Sequence, residues 1–259
     1  MQKDFIKSHW NNQANRHHHS HLASWGDNFM IDLEIATIGE HIMSGAKVLD
    51  IGCGNGFSTF RQLDEHPDID SIFGVDYSEE MIFFAAQTKR NRGLGEKIAF
   101  EVGDIRAIGF PENSFDLVYT TRVLINLPNW EEQKSAIDEC IRVTRPSGKV
   151  IFSEAFWEPL VLLNAMRTLK QLPALVEHDF NRYLKKSEID KLLRNQGLAF
   201  CVNDFSSVYY LGSRFLRELV TDPTAYPGFS NPINRIFYEI EKEFSGGGFG
   251  IQQAYIVTK

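Results

Sequence analysis

The sequence predicts an α/β protein with a doubly wound, mostly parallel sheet. Short apolar runs of strand length alternate with longer stretches in which apolar residues recur at helical spacing. The first such run, Lys47 to Ile51, passes through a glycine-rich turn into a helix-compatible run, Phe57 to Leu63. With 259 residues, 43% of them hydrophobic, the chain can bury one large core. We therefore expect a single domain that binds its ligand at the carboxyl ends of the strands.

The glycine-rich turn has a spacing that indicates the kind of ligand. Asp50 is followed by Gly52, Gly54 and Gly56, which let the backbone turn sharply and approach a ligand with no Cβ between them. Dinucleotide sites have the different spacing Gly-x-Gly-x-x-Gly. An acid ahead of the first glycine suits a ligand that brings positive charge more than one that brings a pyrophosphate. S-adenosylmethionine, with its sulfonium and ammonium groups, is such a ligand, whereas a ligand-free turn would need fewer glycines.

The stretch VLDIGCGNG resembles the first motif of the class I S-adenosylmethionine-dependent methyltransferases. The likeness is to the small-molecule type, similar to the ubiquinone/menaquinone-biosynthesis-like methyltransferases. It implies a seven-stranded sheet of order 3-2-1-4-5-7-6 with the last strand antiparallel. The single domain, residues 1–259, is then expected to divide into N-terminal lid helices (1–45), a cofactor-binding half (46–156), a helical cap inserted after strand five (157–197) and C-terminal strands and helices (198–259).

Composition and charge argue against several other functions. The formal net charge of −7 disfavours a nucleic-acid surface, because phosphate binding needs clustered Lys and Arg. Cys53, Cys140 and Cys201 are far apart and in no CxxC arrangement, so we expect neither a disulfide framework nor a metal site. No run approaches the ~20 apolar residues of a membrane span, and the start lacks the apolar core of a signal peptide. We expect a cytoplasmic monomer or homodimer with a small-molecule acceptor, no membrane and no nucleic acid.

The residues before the first strand are predicted to form a lid. Asp27 to Met43 has the apolar spacing of an amphipathic helix, with Asp27 in its first turn or at its cap. The preceding segment is rich in Trp, His and Asn, and it resembles the N-terminal lid of many small-molecule methyltransferases. This likeness places Trp10 and Trp25 over the cofactor. Its histidines, including His21, are equally consistent with a solvated polar segment.

Acids stand at the ends of the next two predicted strands. The second strand, Ser71 to Asp76, ends in an acid about 20 residues past the glycine loop, where it can bind the ribose hydroxyls. The third strand is Lys97 to Asp104, and the resemblance implies that its terminal acid accepts the adenine amine while the N–H of Ile105 binds a ring nitrogen. Each acid alone could be a surface turn residue, but their joint placement favours a cofactor site. The predicted cofactor residues are Trp25, Asp50, Gly52, Cys53, Gly54, Asn55, Asp76, Tyr77, Met81, Gly103, Asp104, Ile105, Thr120 and Thr121.

The resemblance implies that the region after the fourth strand, Ser114 to Thr120, borders both the methionine part of the cofactor and the acceptor. It lacks the Asn-Pro-Pro-Tyr or Asp-Pro-Pro-Tyr motif of the base-amine methyltransferases, which argues against a nucleobase acceptor. A fifth strand, Gly148 to Phe156, is followed by an insertion, Trp157 to Leu184, that would lie over the site as a cap. The acceptor candidates are Arg122, Asn126, Trp157, Asn181, Arg182 and Tyr183.

The remaining elements are predicted from caps, breakers and apolar patterns. They are a helix capped by Ser78, a helix from Trp130 to Val143, a helix from Ser187 to Gln196 capped by Ser187, a sixth strand from Leu198 to Tyr210, further helix from Leu211 to Phe244 with a loop at Asp222 to Pro232, and a seventh strand from Gly250 to Lys259.

The predicted activity is methyl transfer from S-adenosylmethionine to an O or N atom of a small polar metabolite. The transfer is expected to be an in-line displacement that leaves S-adenosylhomocysteine, with the rate coming from positioning and the exclusion of water. A hydroxyl acceptor needs a general base, for which His21, Glu154, His178 and Asp179 are the candidates. A non-catalytic S-adenosylmethionine-binding or regulatory protein is an open alternative. A nicotinamide-dependent oxidoreductase is disfavoured by the glycine spacing and by the missing Tyr-x-x-x-Lys pair.

Overall fold

The structure, a computed structural model, describes residues 3–222 and 228–259 and contains one seven-stranded sheet of order β3-β2-β1-β4-β5-β7-β6. Strands β1 to β5 pair in parallel, and β7 is antiparallel to both β5 and β6. The predicted strand order and the antiparallel last strand are confirmed. The strands are β1 Lys47–Ile51, β2 Ser71–Asp76, β3 Ile98–Val102, β4 Phe115–Thr121, β5 Thr144–Ala155, β6 Ala199–Asn203 and β7 Gln252–Thr258.

Helices pack on both faces of the sheet. A π-helical turn, Gly212–Leu216, joins α8 to α9, and short 3-10 turns lie at His21–Ala23, Leu124–Asn126 and Gly228–Ser230. The α-helices are α1 Lys3–His17, α2 Asn28–Gly39, α3 Phe57–Glu65, α4 Glu79–Asn91, α5 Trp130–Val143, α6 Trp157–Leu169, α7 Lys186–Asn195, α8 Ser207–Leu211, α9 Arg217–Val220 and α10 Asn234–Glu243. None of the helices described is long and apolar enough to cross a membrane.

Alternate residues of the central strands supply two hydrophobic cores. Val48 of β1 belongs to the core that α2 and α3 cover, whereas the next residue, Leu49, belongs to the core on the opposite face. Ile137 of α5 and Ile189 of α7 pack in that second core. Burial on both faces explains why these strands read as continuous apolar runs.

Several predicted element boundaries are wrong. Strand β5, for example, begins at Thr144 rather than Gly148. Strand β6 ends at Asn203 because the chain turns there and starts α8, where the carboxylate of Glu241 accepts the N–H of Tyr209 at 2.7 Å. Helix α2 ends at Gly39 rather than Met43, although Asp27 is its N-cap as predicted. Helix α7 begins at Lys186 with no side-chain cap from Ser187, because the carboxylate of Glu158 accepts the N–H of Lys186 at 3.1 Å.

Candidate active site

The loop after β1 needs its glycines for two physical reasons. Gly52, Gly54 and Gly56 have φ values of +78°, +55° and +80°, a region that side chains with a Cβ rarely adopt. A Cβ on Gly52 would also lie 2.0 Å from the Cγ2 of Val123, which follows β4. The loop is therefore pressed against the end of β4, and its backbone is open to the cavity beside it.

Asp50 and Asn55 connect this loop to its surroundings. Asp50 is buried, accepts a hydrogen bond from the hydroxyl of Thr59 at 2.6 Å, and has its pKa raised to about 7 by that burial. The Asn55 amide donates to the carbonyls of His18 and Ser20 at 2.7 and 2.8 Å. The glycine loop is thus tied to the N-terminal segment, as a lid over the site requires.

Asp76 at the end of β2 contacts the glycine loop directly. Its carboxylate accepts the N–H of Gly54 at 2.8 Å and the N–H of Ser78 at 2.8 Å. These backbone contacts leave the carboxylate half-buried in the ligand-free protein. Burial raises the pKa of Asp76. The hydroxyl of Ser78 accepts the N–H of Met81 at 3.1 Å, which confirms the predicted cap of α4.

Asp104, after β3, lies in an ion-pair network. The guanidinium of Arg106 donates to both oxygens of Asp104, at 2.8 and 2.5 Å, and also to Glu132. These contacts raise the pKa of Arg106, with the hydrogen bonds to Asp104 as the largest cause. Arg106 and Glu132 were not predicted, because nothing in a local pattern shows that a residue of α5 reaches the end of β3.

A cavity of about 240 Å³ opens at the carboxyl ends of β1 to β4, beneath α1 and the loop after α6. Trp25 and Thr120 do not line it. The predicted cofactor residues that do are Asp50, Gly52, Cys53, Gly54, Asn55, Asp76, Tyr77, Met81, Gly103, Asp104, Ile105 and Thr121. Trp10, which was predicted to lie over the cofactor, also lines the cavity. The lining residues that were not predicted as contacts include Ile6, Ser24, Phe57, Arg106, Glu132 and Phe180.

The N-terminal helix covers this cavity through specific contacts. Lys7 of α1 pairs with Glu79 at 2.5 Å, and the side chain of Asn11 accepts a hydrogen bond from the hydroxyl of Ser78 at 2.6 Å. On the other side, the rings of His9 and Trp10 lie 4.8 and 6.5 Å from the ring of Phe180. Aromatic residues of α1 and of the loop after α6 therefore pack against each other beside the cavity.

The four candidate bases, His21, Glu154, His178 and Asp179, do not line the cavity. Glu154 is fully buried and accepts hydrogen bonds from the hydroxyl of Thr120 at 2.7 Å and from the N–H of Val123 at 3.0 Å, and burial raises its pKa to about 7. The His21 ring packs 5.6 Å from Phe57, and burial lowers its pKa. His178 stacks on Phe180 at 5.8 Å. Glu154 instead fixes the chain that follows β4.

The acceptor candidates divide in the same way. Arg122, Asn126 and Arg182 line the cavity, whereas Trp157, Asn181 and Tyr183 do not. Arg122 has the unusual φ of +57° for a non-glycine residue. Its guanidinium donates to Glu34 at 2.6 Å and lies 4.2 Å from the ring of Trp25, so this tryptophan reaches the site through Arg122.

Known proteins similar to this chain include several methyltransferases. Residues 42–218 match the family model described as "Methyltransferase domain". The ubiquinone biosynthesis O-methyltransferase of Pseudomonas fluorescens (strain SBW25) is 27% identical over 183 residues, which are 69% of this chain and 75% of that protein. Phosphoethanolamine N-methyltransferase 1 of Arabidopsis thaliana is 32% identical over 117 residues, 44% of this chain but only 22% of that protein. The chain thus spans about a fifth of the length of that relative.

Solved structures that resemble this chain are at most 20% identical to it in the two cases below, so the likeness concerns the fold and not the activity. The magnesium protoporphyrin IX methyltransferase of Synechocystis PCC 6803, with bound S-adenosylhomocysteine, is similar over 100% of both chains, with a TM-score of 0.61 and 16% identity. The [4+2]-cyclase SpnF covers 88% of this chain and 80% of its own, with a TM-score of 0.58 and 20% identity. Because the family match covers more than half of the sequence, the chain belongs to the methyltransferase-domain family and has the fold of the class I S-adenosylmethionine-dependent methyltransferases.

Proposed function

We propose that this protein transfers a methyl group from S-adenosylmethionine to an O or N atom of a small molecule. The observation that carries this proposal is the meeting of the glycine loop with Asp50, Asp76 and Asp104 in one cavity. A ligand with two positive centres and a ribose matches these acids. The glycines let the protein backbone approach such a ligand closely. Relatives named as O- and N-methyltransferases support the reaction class but not a choice between the two atoms.

The residues that line the cavity can be matched to separate parts of S-adenosylmethionine. Asp76 has lone pairs beyond those used by Gly54 and Ser78, and these are available to ribose hydroxyls. Asp104 keeps a fixed position beside Arg106, and Tyr77 and Met81 line the same half of the cavity. When bound, S-adenosylmethionine supplies an electrophilic methyl group on its sulfonium. The task of this chain is then to align the acceptor behind that methyl group and to exclude water.

The cavity favours an acceptor that needs no protein base. Neither His21, His178 nor Glu154 lines it, and the lining residues that the structure describes include no histidine. The lining carboxylates lie on the cofactor side, where Asp104 and Glu132 share Arg106. We therefore propose catalysis by positioning, with an acceptor that arrives as a free amine or as an oxyanion.

A turnover assay tests this function. Purified protein, S-adenosylmethionine and a panel of small amines, phenols and carboxylic acids should release S-adenosylhomocysteine with at least one acceptor. Gly52→Ala should abolish the release, because its Cβ would lie 2.0 Å from Val123. Gly45→Ala is the matched control, since Gly45 also has a positive φ, +72°, but has no heavy atom within 4 Å of an added Cβ. Binding of S-adenosylhomocysteine without turnover of any acceptor would instead favour a non-catalytic binding protein.

A further inference from the structure

The charges that line the cavity are separated into two halves. Asp50, Asp76, Asp104 and the pair of Arg106 with Glu132 lie around the ends of β1 to β3. The other two lining arginines lie elsewhere: Arg122 directly follows β4, and Arg182 is in the loop between α6 and α7. A cationic cofactor is attracted to the first half, and an anion is attracted to the second.

Arg122 is held in place more firmly than an ordinary surface arginine. Its backbone N–H donates to the carbonyl of Ser153 at 2.9 Å, and its side chain is only 17% exposed. One guanidinium N–H donates to Glu34, and the guanidinium carbon lies 4.2 Å from the centroid of the Trp25 ring. A guanidinium has five N–H donors, so this pairing leaves donors for a ligand in the cavity that Arg122 lines.

Glu34 is a buried partner of Arg122 that other side chains also contact. Its carboxylate is 2% exposed and also accepts hydrogen bonds from the hydroxyl of Ser153, at 3.2 Å, and from the amide of Gln252. Burial raises the pKa of Glu34 to about 7, and the positive charge of Arg122 opposes this shift. Its contacts with Ser153 of β5 and Gln252 of β7 fix Glu34 in place, and Glu34 in turn holds the guanidinium of Arg122 at the end of β4.

Arg182 is the second arginine that lines this half of the cavity. Its backbone N–H donates to the carbonyl of Ile125 at 2.7 Å, and its own carbonyl accepts the amide of Gln133 at 2.7 Å. Its guanidinium donates to the backbone carbonyls of Asp179 and Asn181, and among the side chains that the structure describes, those of 5–222, 228, 229 and 231–259, no carboxylate forms an ion pair with it.

We propose that the acceptor carries a carboxylate group, that Arg122 binds this carboxylate, and that Glu34 and Trp25 are positioning residues for its guanidinium. The inference rests on the proposed function, since it needs a cofactor in the acidic half. A guanidinium and a carboxylate match in geometry and form paired hydrogen bonds that a lysine cannot reproduce. The rings of Trp10 and Phe180 line the same cavity as Arg122 and suit an acceptor with a flat, apolar body.

Calorimetry with two ligands of the same shape tests the proposal. Benzoate and benzamide differ in charge but hardly in size, and each is titrated into protein saturated with S-adenosylhomocysteine. Wild type should bind benzoate about 10- to 100-fold tighter than benzamide, and Arg122→Met should lose this preference. Arg145→Met is the matched control, because Arg145 pairs with Asp116 at 2.7 Å and does not line the cavity, so its preference should be unchanged.

Further variants separate positioning from folding. Arg122→Lys keeps a charge for Glu34 and should fold, yet it should lose most of the preference for benzoate. Trp25→Leu should reduce the ratio of the two affinities, and Trp25→Phe should restore it, because the aromatic face returns. A purely structural role for Trp25 would lower both affinities equally and would overturn its assignment.

The carboxylate of the cofactor is the competing partner for Arg122, and a third ligand distinguishes it. 5′-Methylthioadenosine lacks the amino-acid end of S-adenosylhomocysteine. If Arg122→Met weakens S-adenosylhomocysteine but not 5′-methylthioadenosine, Arg122 holds the cofactor and the proposal is overturned. Equal binding of benzoate and benzamide to wild type also overturns it. If wild type binds neither nucleoside, the proposed function itself has failed.

Discussion

Removing the carboxylate of Asp76 should weaken both the ligand-free fold and cofactor binding. In Asp76→Ala, the N–H groups of Gly54 and Ser78 lose an acceptor that each now contacts at 2.8 Å. Hydrogen bonds to a charged group contribute about 1.5 to 3 kcal/mol each. Burial raises the pKa of Asp76, which shows that desolvation offsets part of that gain, and water can reach the half-buried site. We therefore expect a loss of about 2 kcal/mol in the free energy of unfolding.

The length of the chain determines how far this loss of stability lowers the Tm. A domain of this length moves its Tm by about 2 to 4 °C for each kcal/mol, so Asp76→Ala should melt about 4 to 8 °C below wild type without ligand. Loss of the ribose hydrogen bonds should also reduce affinity for S-adenosylhomocysteine by about 10- to 100-fold. Thermal melting and isothermal calorimetry measure the two effects separately.

Asp70→Ala is the matched control, because it removes a carboxylate at the opposite end of the same strand. Asp70 is exposed and its only ion pair, to Lys47 at 3.9 Å, is a weak surface contact within the described residues. Its Tm and affinity should stay close to those of wild type. An Asp76→Ala protein that matches Asp70→Ala in both measurements would refute the reasoning about this site.

Two further predictions concern pH and mobility. Burial raises the pKa of Glu154 from about 4.5 to about 7, so its contribution to stability is complete below pH 4.5 and is lost as the pH rises through 7. Glu154→Gln should therefore flatten part of the fall in Tm between pH 5 and pH 8, and an unchanged slope would contradict this. Hydrogen exchange should slow in residues 10–30 when S-adenosylhomocysteine binds, and in 178–183 when an acceptor is added, while the sheet does not respond. Equal exchange in every state would exclude a closing lid.

The parts of the fold that a local pattern encodes could be predicted from the sequence. Strands β1 and β2 and helix α5 have the predicted bounds, because an apolar run, a glycine turn or a cap marks each end. The predicted sixth strand failed at Asn203, where an aromatic stretch continued the strand-like pattern into α8. The chain turns there because of contacts with α10 and with β7. Such long-range contacts produce no pattern in the neighbouring sequence.

In the site, too, the features encoded by neighbouring residues could be predicted, and those that depend on long-range contacts could not. The glycine loop and its acids were predicted because they sit next to strand ends in the sequence. The pairing of Glu34 with Arg122 joins residues 88 positions apart, so no spacing rule reveals it. Glu154 has the residue type of a base, but the donors that surround it come from the chain after β4, and only the structure shows that they bury it. Residue type suggests chemistry, whereas burial and partners decide it.

The central claim is that this cavity binds S-adenosylmethionine, and isothermal calorimetry tests it most directly. S-adenosylmethionine and S-adenosylhomocysteine should bind with micromolar Kd values, on the order of −8 kcal/mol. NAD should show no comparable binding, because the loop spacing and the acid ahead of the glycines do not suit a pyrophosphate. Tighter binding of NAD than of S-adenosylhomocysteine would contradict the account.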